Sequence, residues 1–527
     1  LKIKPHPQDG YYNSEEQLVW KIGSVADPSA RIPLGFRAHL LRESLDYAID
    51  LLATNEPYRA QRARQIVTKV LALQDVSPTS TTYGIWPKYL EEPLSEASFV
   101  DGFWADVVGF RLCKLSALYT EHFSSETIHD IRAAIGHAAY AVFARDHFDC
   151  DTKFALISAI VVLAGAEIVE EPLLLQLGLQ RLREIIERAQ RSGEFGDYNS
   201  PSLTLLAVEE CDLLLKLVRD ERALSLARLL NYVAWRTVTE HFHPRTKQWA
   251  GPHGWTDRDV LTPEQTDHIL DPNSSCPDDL RTRLITLPAE EVTVHHNYIH
   301  RTKNSGNVQT TTWMSNDVCL GSADEDIFWK HRRPLIAYWT SKSGKVAVLR
   351  ARFLHDGHDF ASGDVANVQD GGRLLSSFGL ERRGGDLHSF IDRPPRGIFR
   401  GSDFRVRYQL TADDAAVEDI GYGLYELSSG GLVAVIHTLP GFFDNSVVRW
   451  TFGRDGTTVY VDAVCYAGKE TTIKPRSSTT ILVPSALEIL RKGEAISEPP
   501  ELYNISNQEY KLQWHGLELH FMARPRR

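Results

Sequence analysis

Between residues 36 and 242 apolar side chains recur every three to four positions, the spacing that places them on one face of a helix. The stretches that carry this rhythm are 36–53, 58–73, 103–123, 125–145, 152–169, 171–191, 201–219 and 221–242. Short links between them predict antiparallel neighbours packed in pairs. Helix starts are marked as well: Ser200 precedes Pro201, a capping hydroxyl followed by proline at the first helical position, and Ser124 can cap the helix after it. After about residue 245 the period changes. Runs such as "GKVAVLRARFL", "FRVRYQLTA", "GGLVAVIHTLP" and "TTVYVDAVCYAG" alternate, are rich in Val, Thr and aromatics, and are separated by "SKSG", "SSGG" and "RDG" turns. Helices followed by strands predict an α+β multidomain chain. The expected architecture is an N-terminal incomplete α/α toroid over 1–254, a linker over 255–290 where "DPNSSCPDD" is loop-like, and a C-terminal antiparallel β-sandwich over 291–527.

Composition narrows the partners. The 527 residues carry a formal net charge of -11, and the densest basic patch is only "KHRRP" at 330–334, which excludes a nucleic-acid partner. The longest apolar run, "FALISAIVVLAGAEIV", is shorter than a membrane span and is flanked by Lys153, so it reads as a buried helix and no membrane partner is expected. Six cysteines lie scattered without metal or redox spacing, which leans towards a reducing compartment. Sequons at Asn273 and Asn504 lean towards secretion, and the location stays open. Phosphate loops, dinucleotide fingerprints, zinc-protease motifs and serine-hydrolase elbows are missing, so neither a cofactor nor a metal is expected.

Candidate chemistry concentrates where helices give way to loops. In "GDYNSP", Tyr198 and Asn199 stand just before a helix N-terminus, whose free N–H groups favour negative charge. The same residues suit an ordinary Asx turn before a Ser cap. In "QWAGPHGWTDRD", His253 is a natural proton carrier, Trp255 a platform for a flat ligand, and Asp257 and Arg258 a charged pair able to clamp an anion. An inter-domain elbow would use the same residues structurally. "VTVHHNYIH" offers His295, His296 and His300; on a strand His296 and His300 stand about 13 Å apart, too far to share a metal, leaving His296 as a cleft residue. Trp86 and Trp104 lie at loop-to-helix junctions, and Arg332 in a Trp-rich segment beside Arg333. Asp101, Asp197, Asp257 and Asp259 are the carboxylates from which a hydrolase would draw its pair.

The order of "DGFW", "FALISAIVVLAGAE", "DYNSPS", "WAGPH" and "LGSADEDIFWKHRRPLIAYW" resembles proteins of the heparinase II/III and alginate lyase group, over roughly residues 95–345. The resemblance implies a toroid with a β-sandwich and β-elimination of uronate polysaccharides without a cofactor. It assigns neutralisation of a substrate carboxylate to Asn199, and acid–base work to Tyr198 or His253. Trp86, Trp104, Trp255, Asp257, Arg258, His296 and Arg332 would then contact an oligosaccharide or small-molecule substrate. Two positions depart from the group. Leu203 and Trp255 stand where a Tyr and an Arg are usual, which makes the cleft more apolar. Two further readings arise from that shift: a repurposed toroid that guides cyclisation of a small hydrophobic molecule, and a non-catalytic glycan-binding protein. The oligomeric state is not legible.

Overall fold

The computed structural model describes the chain except residues 1–4, 24–31, 34, 98, 146–151, 193–198, 300–306, 383–396, 445, 476–479 and 527. The helices fall where the apolar rhythm put them: α1 Leu41–Leu52, α2 Pro57–Leu71, α3 Trp104–Leu118, α4 Ser125–Ala144, α5 Thr152–Val169, α6 Pro172–Ser192, α7 Pro201–Leu217 and α8 Glu221–His241. Ser124 accepts from the Thr127 N–H and caps α4. The α+β organisation is present, with helices first and antiparallel sheets after. Residues 255–290, expected to be a linker, carry α9 (Pro263–Leu270) and α10 (Asp278–Arg281), and α9 opens with a full capping box between Thr262 and Gln265.

The chain separates into two compact units, one of residues 1–188 and 206–232, the other of residues 189–205 and 233–527. In the first, α1 packs on α2 and α3, and α4 on α3 and α5. This is the helix-pair construction expected of an incomplete α/α toroid. Leu45, Leu52, Leu112, Ile135, Val142, Ile160 and Leu163 lie buried in it. Asn231 on α8 donates to Asp212 on α7 at 2.9 Å. Among the described residues no helix is long and apolar enough to cross a membrane.

Among the described residues the second unit holds two large antiparallel sheets, beside a three-stranded one of Glu501–Ser506, Glu509–Trp514 and Leu517–Met522 and a short hairpin. One orders the strands Arg449–Asp455, Thr458–Ile473, Phe399–Thr411, Val346–His355, Leu335–Thr340, Val318–Ala323, Asn307–Ser315 and Glu291–Ile299. The other is built around Ile481–Arg491, flanked by Leu432–Thr438 and Arg373–Leu380. Both send alternate residues into one core, with Leu349, Phe353, Phe404, Tyr408 and Val461 from the first meeting Leu374, Phe378, Ile436 and Leu487 from the second. That shared interior makes a β-sandwich. Alternation along Leu335–Thr340 gives the first sheet a second buried face. Leu335, Ala337 and Trp339 enter the sandwich core, whereas Ile336 and Tyr338 face the other way, among Ala250, Met314, Cys319 and Val348.

Candidate functional site

The site lies within the second unit and is built on a loop laid flat against a sheet. After α8 a short hairpin pairs Phe242–His243 with Gln248–Trp249, and residues 250–253 then cross the strands Val318–Ala323 and Leu335–Thr340. Two glycines permit the approach. A Cβ at Gly321 would stand 1.8 Å from the Gly251 carbonyl oxygen, and one at Gly251 would stand 2.1 Å from Ile336 Cγ2. The Gly251–Pro252 peptide is cis. The main chain of His253 then pairs with that of Arg333, the two N–H···O bonds measuring 3.0 and 2.8 Å.

Asn199 holds this loop. Its backbone takes the left-handed conformation (φ 41°), which asparagine tolerates better than most residues, and its side chain is buried. Nδ2 donates to the carbonyls of Ala250 and Pro252 at 3.0 and 2.6 Å, while Oδ1 accepts from the Trp249 indole N–H at 2.5 Å. Both amide protons are therefore committed to the protein. The role expected of Asn199, neutralising a substrate carboxylate, meets that obstacle: buried carbonyls already hold its donors. Ser200 completes the junction by donating to the Trp255 carbonyl at 2.7 Å while accepting from the Leu203 N–H at the start of α7. Tyr198 lies outside the described residues.

His253 is 2% exposed and faces Tyr338, with Nε2 and the phenol oxygen 3.0 Å apart. The Tyr338 hydroxyl donates to the Asp259 main-chain carbonyl at 2.6 Å, so its oxygen is left to accept from His253 Nε2–H. That network assigns the Nε2-protonated tautomer. Burial, helped by Arg333 and His241, pushes the imidazole down to about 3, so the ring is neutral at ordinary pH. Burial also raises Tyr338 well above the usual phenol value, although Arg333 and Arg350 pull the other way. Behind the pair, Asp259 accepts from Arg333 Nε at 2.5 Å and from Arg350 Nη1 at 2.9 Å. Burial works to raise this carboxyl, yet Arg350 and Arg333 outweigh it and hold Asp259 below its ordinary value. Arg350 itself is lowered to about 10 by burial. His253, Tyr338 and Asp259 line a cavity of about 110 Å³ with Ser202, Trp249 and Arg258.

The other expected contacts distribute unevenly. Asp257 and Arg258 also line the cavity, and both are exposed. Trp255 stands beside it, but its ring stacks on His331 at 4.7 Å and meets Trp329 edge-on at 5.1 Å. Protein thus covers one face of the expected sugar platform. Arg332, expected to bind substrate, instead pairs at 2.5 Å with the fully buried Asp326. His296 is buried against His241 and lies 3.7 Å from Glu240. Trp86 is core in the first unit, its indole N–H bound to the Val70 carbonyl at 2.9 Å. Trp104 is half-buried in the same unit, with the Lys88 ammonium 6.0 Å from its ring. His300 lies outside the described residues. Among those described, no cluster of three or more His, Cys, Asp or Glu side chains could hold a metal.

Sequence reasoning missed Tyr338 and Arg350 and chose Arg332 over its neighbour Arg333. The signal for Tyr338 was present: in "LIAYW" strand alternation separates it from Leu335, Ala337 and Trp339, placing a phenol on the face opposite the core.

Residues 8–259 match a family described as a domain of unknown function (DUF8769), slightly under half of the chain. No curated protein matches. Solved structures similar to the chain include a heparinase III, at 10% identity and a TM-score of 0.45, covering 92% of this chain and 82% of that one. The heparan sulfate lyase HepC from Pedobacter heparinus is similar at 10% identity and 0.40, covering 92% and 81%. The chondroitin AC lyase of Streptomyces coelicolor A3, in complex with chondroitin sulphate, is similar at 8% and 0.29, covering 85% and 92%. Likenesses at this level define neither reaction nor substrate.

Proposed function

We propose that this protein is a cofactor-independent acid–base enzyme acting on an acidic glycan by lyase-like β-elimination, with Tyr338 and His253 as its proton couple. The observation that carries the reading is the bonded phenol–imidazole pair on the wall of a cavity. Tyr338, kept protonated by burial, supplies the departing oxygen with its proton. The phenolate that forms, held by the Nε2–H of His253, takes up the proton lost by the carbon next to the substrate carboxylate. The couple ends as it began. Arg333 and Arg350 set against Asp259 leave one surplus positive charge behind the phenol, a field that favours the enolate-like charge of such a step.

A second reading is favoured by size. A cavity of about 110 Å³ is well below the ~300–1,000 Å³ of pockets that enclose drug-sized ligands, which suits a small substrate, such as one guided to cyclise, or a single glycan unit. A panel of acidic glycans, followed by the ultraviolet absorbance of unsaturated uronate products, tests the first reading. Absorbance that grows with time supports it, and silence across the panel overturns it in favour of the small-substrate enzyme.

A further inference from the structure

A second cavity opens where the two large sheets of the second unit end. Its walls are the turn between Asn307–Ser315 and Val318–Ala323, the turn between Gly363–Asp370 and Arg373–Leu380, the end of Ile481–Arg491, and residues 289–291. Its volume is about 910 Å³, within the ~300–1,000 Å³ of sites that hold small molecules. Glycine shapes one wall. Gly371 takes the left-handed conformation (φ 54°), and a Cβ on Gly372 would stand 3.4 Å from both the Trp313 ring and the Ile489 carbonyl oxygen. The turn therefore lies against the indole, whose N–H donates to Glu291 Oε2 at 3.2 Å and holds that carboxylate at the wall.

The charges on this wall do not balance. Arg491 reaches across to Asp317 at 3.1 Å, and Arg373 stands 3.9 Å from Glu488. Glu290, Glu291, Asp370 and Glu494 remain, all exposed, and among the described residues none has a cation within ion-pair distance. Carboxylates only accept hydrogen bonds, so the ligand that satisfies them is a donor-rich cation. A metal ion is too compact for them. Calcium needs about six to eight oxygens converging on one point. Among the described residues no three His, Cys, Asp or Glu side chains stand close enough to share an ion. Val318, Leu432, Ile489 and Leu490 add an aliphatic strip to the wall. Spread carboxylates beside such a strip suit an extended cation, its methylene stem on apolar surface and its charged ends outward.

We propose that this cavity binds an aliphatic chain bearing two or more ammonium groups, supplied by a free polyamine or by neighbouring lysines of a peptide. The proposal is independent of the elimination reading, since no residue of the His253–Tyr338 cavity enters it.

Calorimetric titration of the full chain with spermidine, trilysine and butylamine tests it. Spermidine or trilysine should bind at a saturable site about tenfold or more tighter than butylamine, which offers a single charge. Added salt should weaken that binding. Asp370→Asn and Glu290→Gln, combined in one variant at exposed positions, should cost about tenfold with an unchanged circular dichroism spectrum. Glu518→Gln, an acid outside the cavity, should change nothing. Tighter binding of spermidine supports the proposal with a free polyamine as ligand, and tighter binding of trilysine supports it with a peptide. No saturable binding of either overturns it. So does binding no tighter than that of butylamine, or binding that the double variant keeps in full, because the acidic surface would then attract cations without a site.

Discussion

His253 and His437 are both buried, at 2% and 1% exposure, and each sets its Nε2 3.0 Å from an oxygen. What differs is the oxygen. His437 meets the carboxylate of Glu488, which also accepts from the Ser497 N–H and hydroxyl at 2.9 and 2.7 Å. Burial tends to raise Glu488, but the bonds from His437 and Ser497 prevail and hold it below its usual value. The Trp514 ring lies 5.0 Å from that imidazole. His253 meets a neutral phenol, and burial with Arg333 and His241 outweighs what the Asn199 main chain and Asp259 return for its charging. The first pair is a fastener between the sandwich and its last strands; the second, on the function proposed above, keeps both protons where a reaction can use them. A buried histidine is therefore classified by its partner, not by its depth.

Breaking the fastener has the largest expected effect. Glu488→Ala leaves His437 and Ser497 facing an empty buried site, and denaturant unfolding followed by tryptophan fluorescence should show a loss of about 3–5 kcal/mol. Tyr338→Phe removes one hydroxyl from the other pair. Turnover on any substrate found should fall about a hundredfold with an unchanged circular dichroism spectrum. Full activity in this variant would end the comparison, because the phenol would then be only a fastener as well.

Acid separates the pairs next. From about pH 6.5 down to about 3, the unfolded chain takes up a proton at His253 that the folded chain refuses. Stability on that account is complete above the unfolded value and is lost as pH falls, with a slope of up to ~1.4 kcal/mol per pH unit. Urea melts across this range should flatten in His253→Gln. The smallest effect belongs to the exposed pair of His331 and Asp257, whose carboxylate is 69% exposed. Asp257→Asn should shift the unfolding free energy by less than about 0.5 kcal/mol.

Much of the fold could be read from the chain because its two halves carry different periods. Helices α4 and α5 begin at Ser125 and Thr152, where the apolar rhythm begins. The strand Val346–His355 lies almost wholly within "GKVAVLRARFL". The site was legible only in part. "GPHGW" advertises a turn and a proton carrier, and the cavity does form there. Asn199 advertised a free carboxamide, yet its partners are main-chain carbonyls some 50 residues away, which local sequence cannot foretell. Arg332 and Arg333 are chemically alike, and only the turn before the strand Leu335–Thr340, where Arg333 bridges to His253, sends one to Asp326 and the other to Asp259. Trp86 and Trp104 look equivalent in composition, and burial alone tells them apart.

The hydrogen atom that serves as the side chain of Gly321 has a reach out of proportion to its size. Because the Gly251 carbonyl rests against it, the loop bearing His253 is seated like another layer of the sheet. Its ordering entropy is settled during folding, before any ligand arrives. Alanine at position 321 would touch no substrate and remove no functional group. It would nonetheless lift the whole loop and spoil the alignment of phenol and imidazole from beneath, so the tolerance of this site to mutation is set by a residue with nothing to contribute to its chemistry.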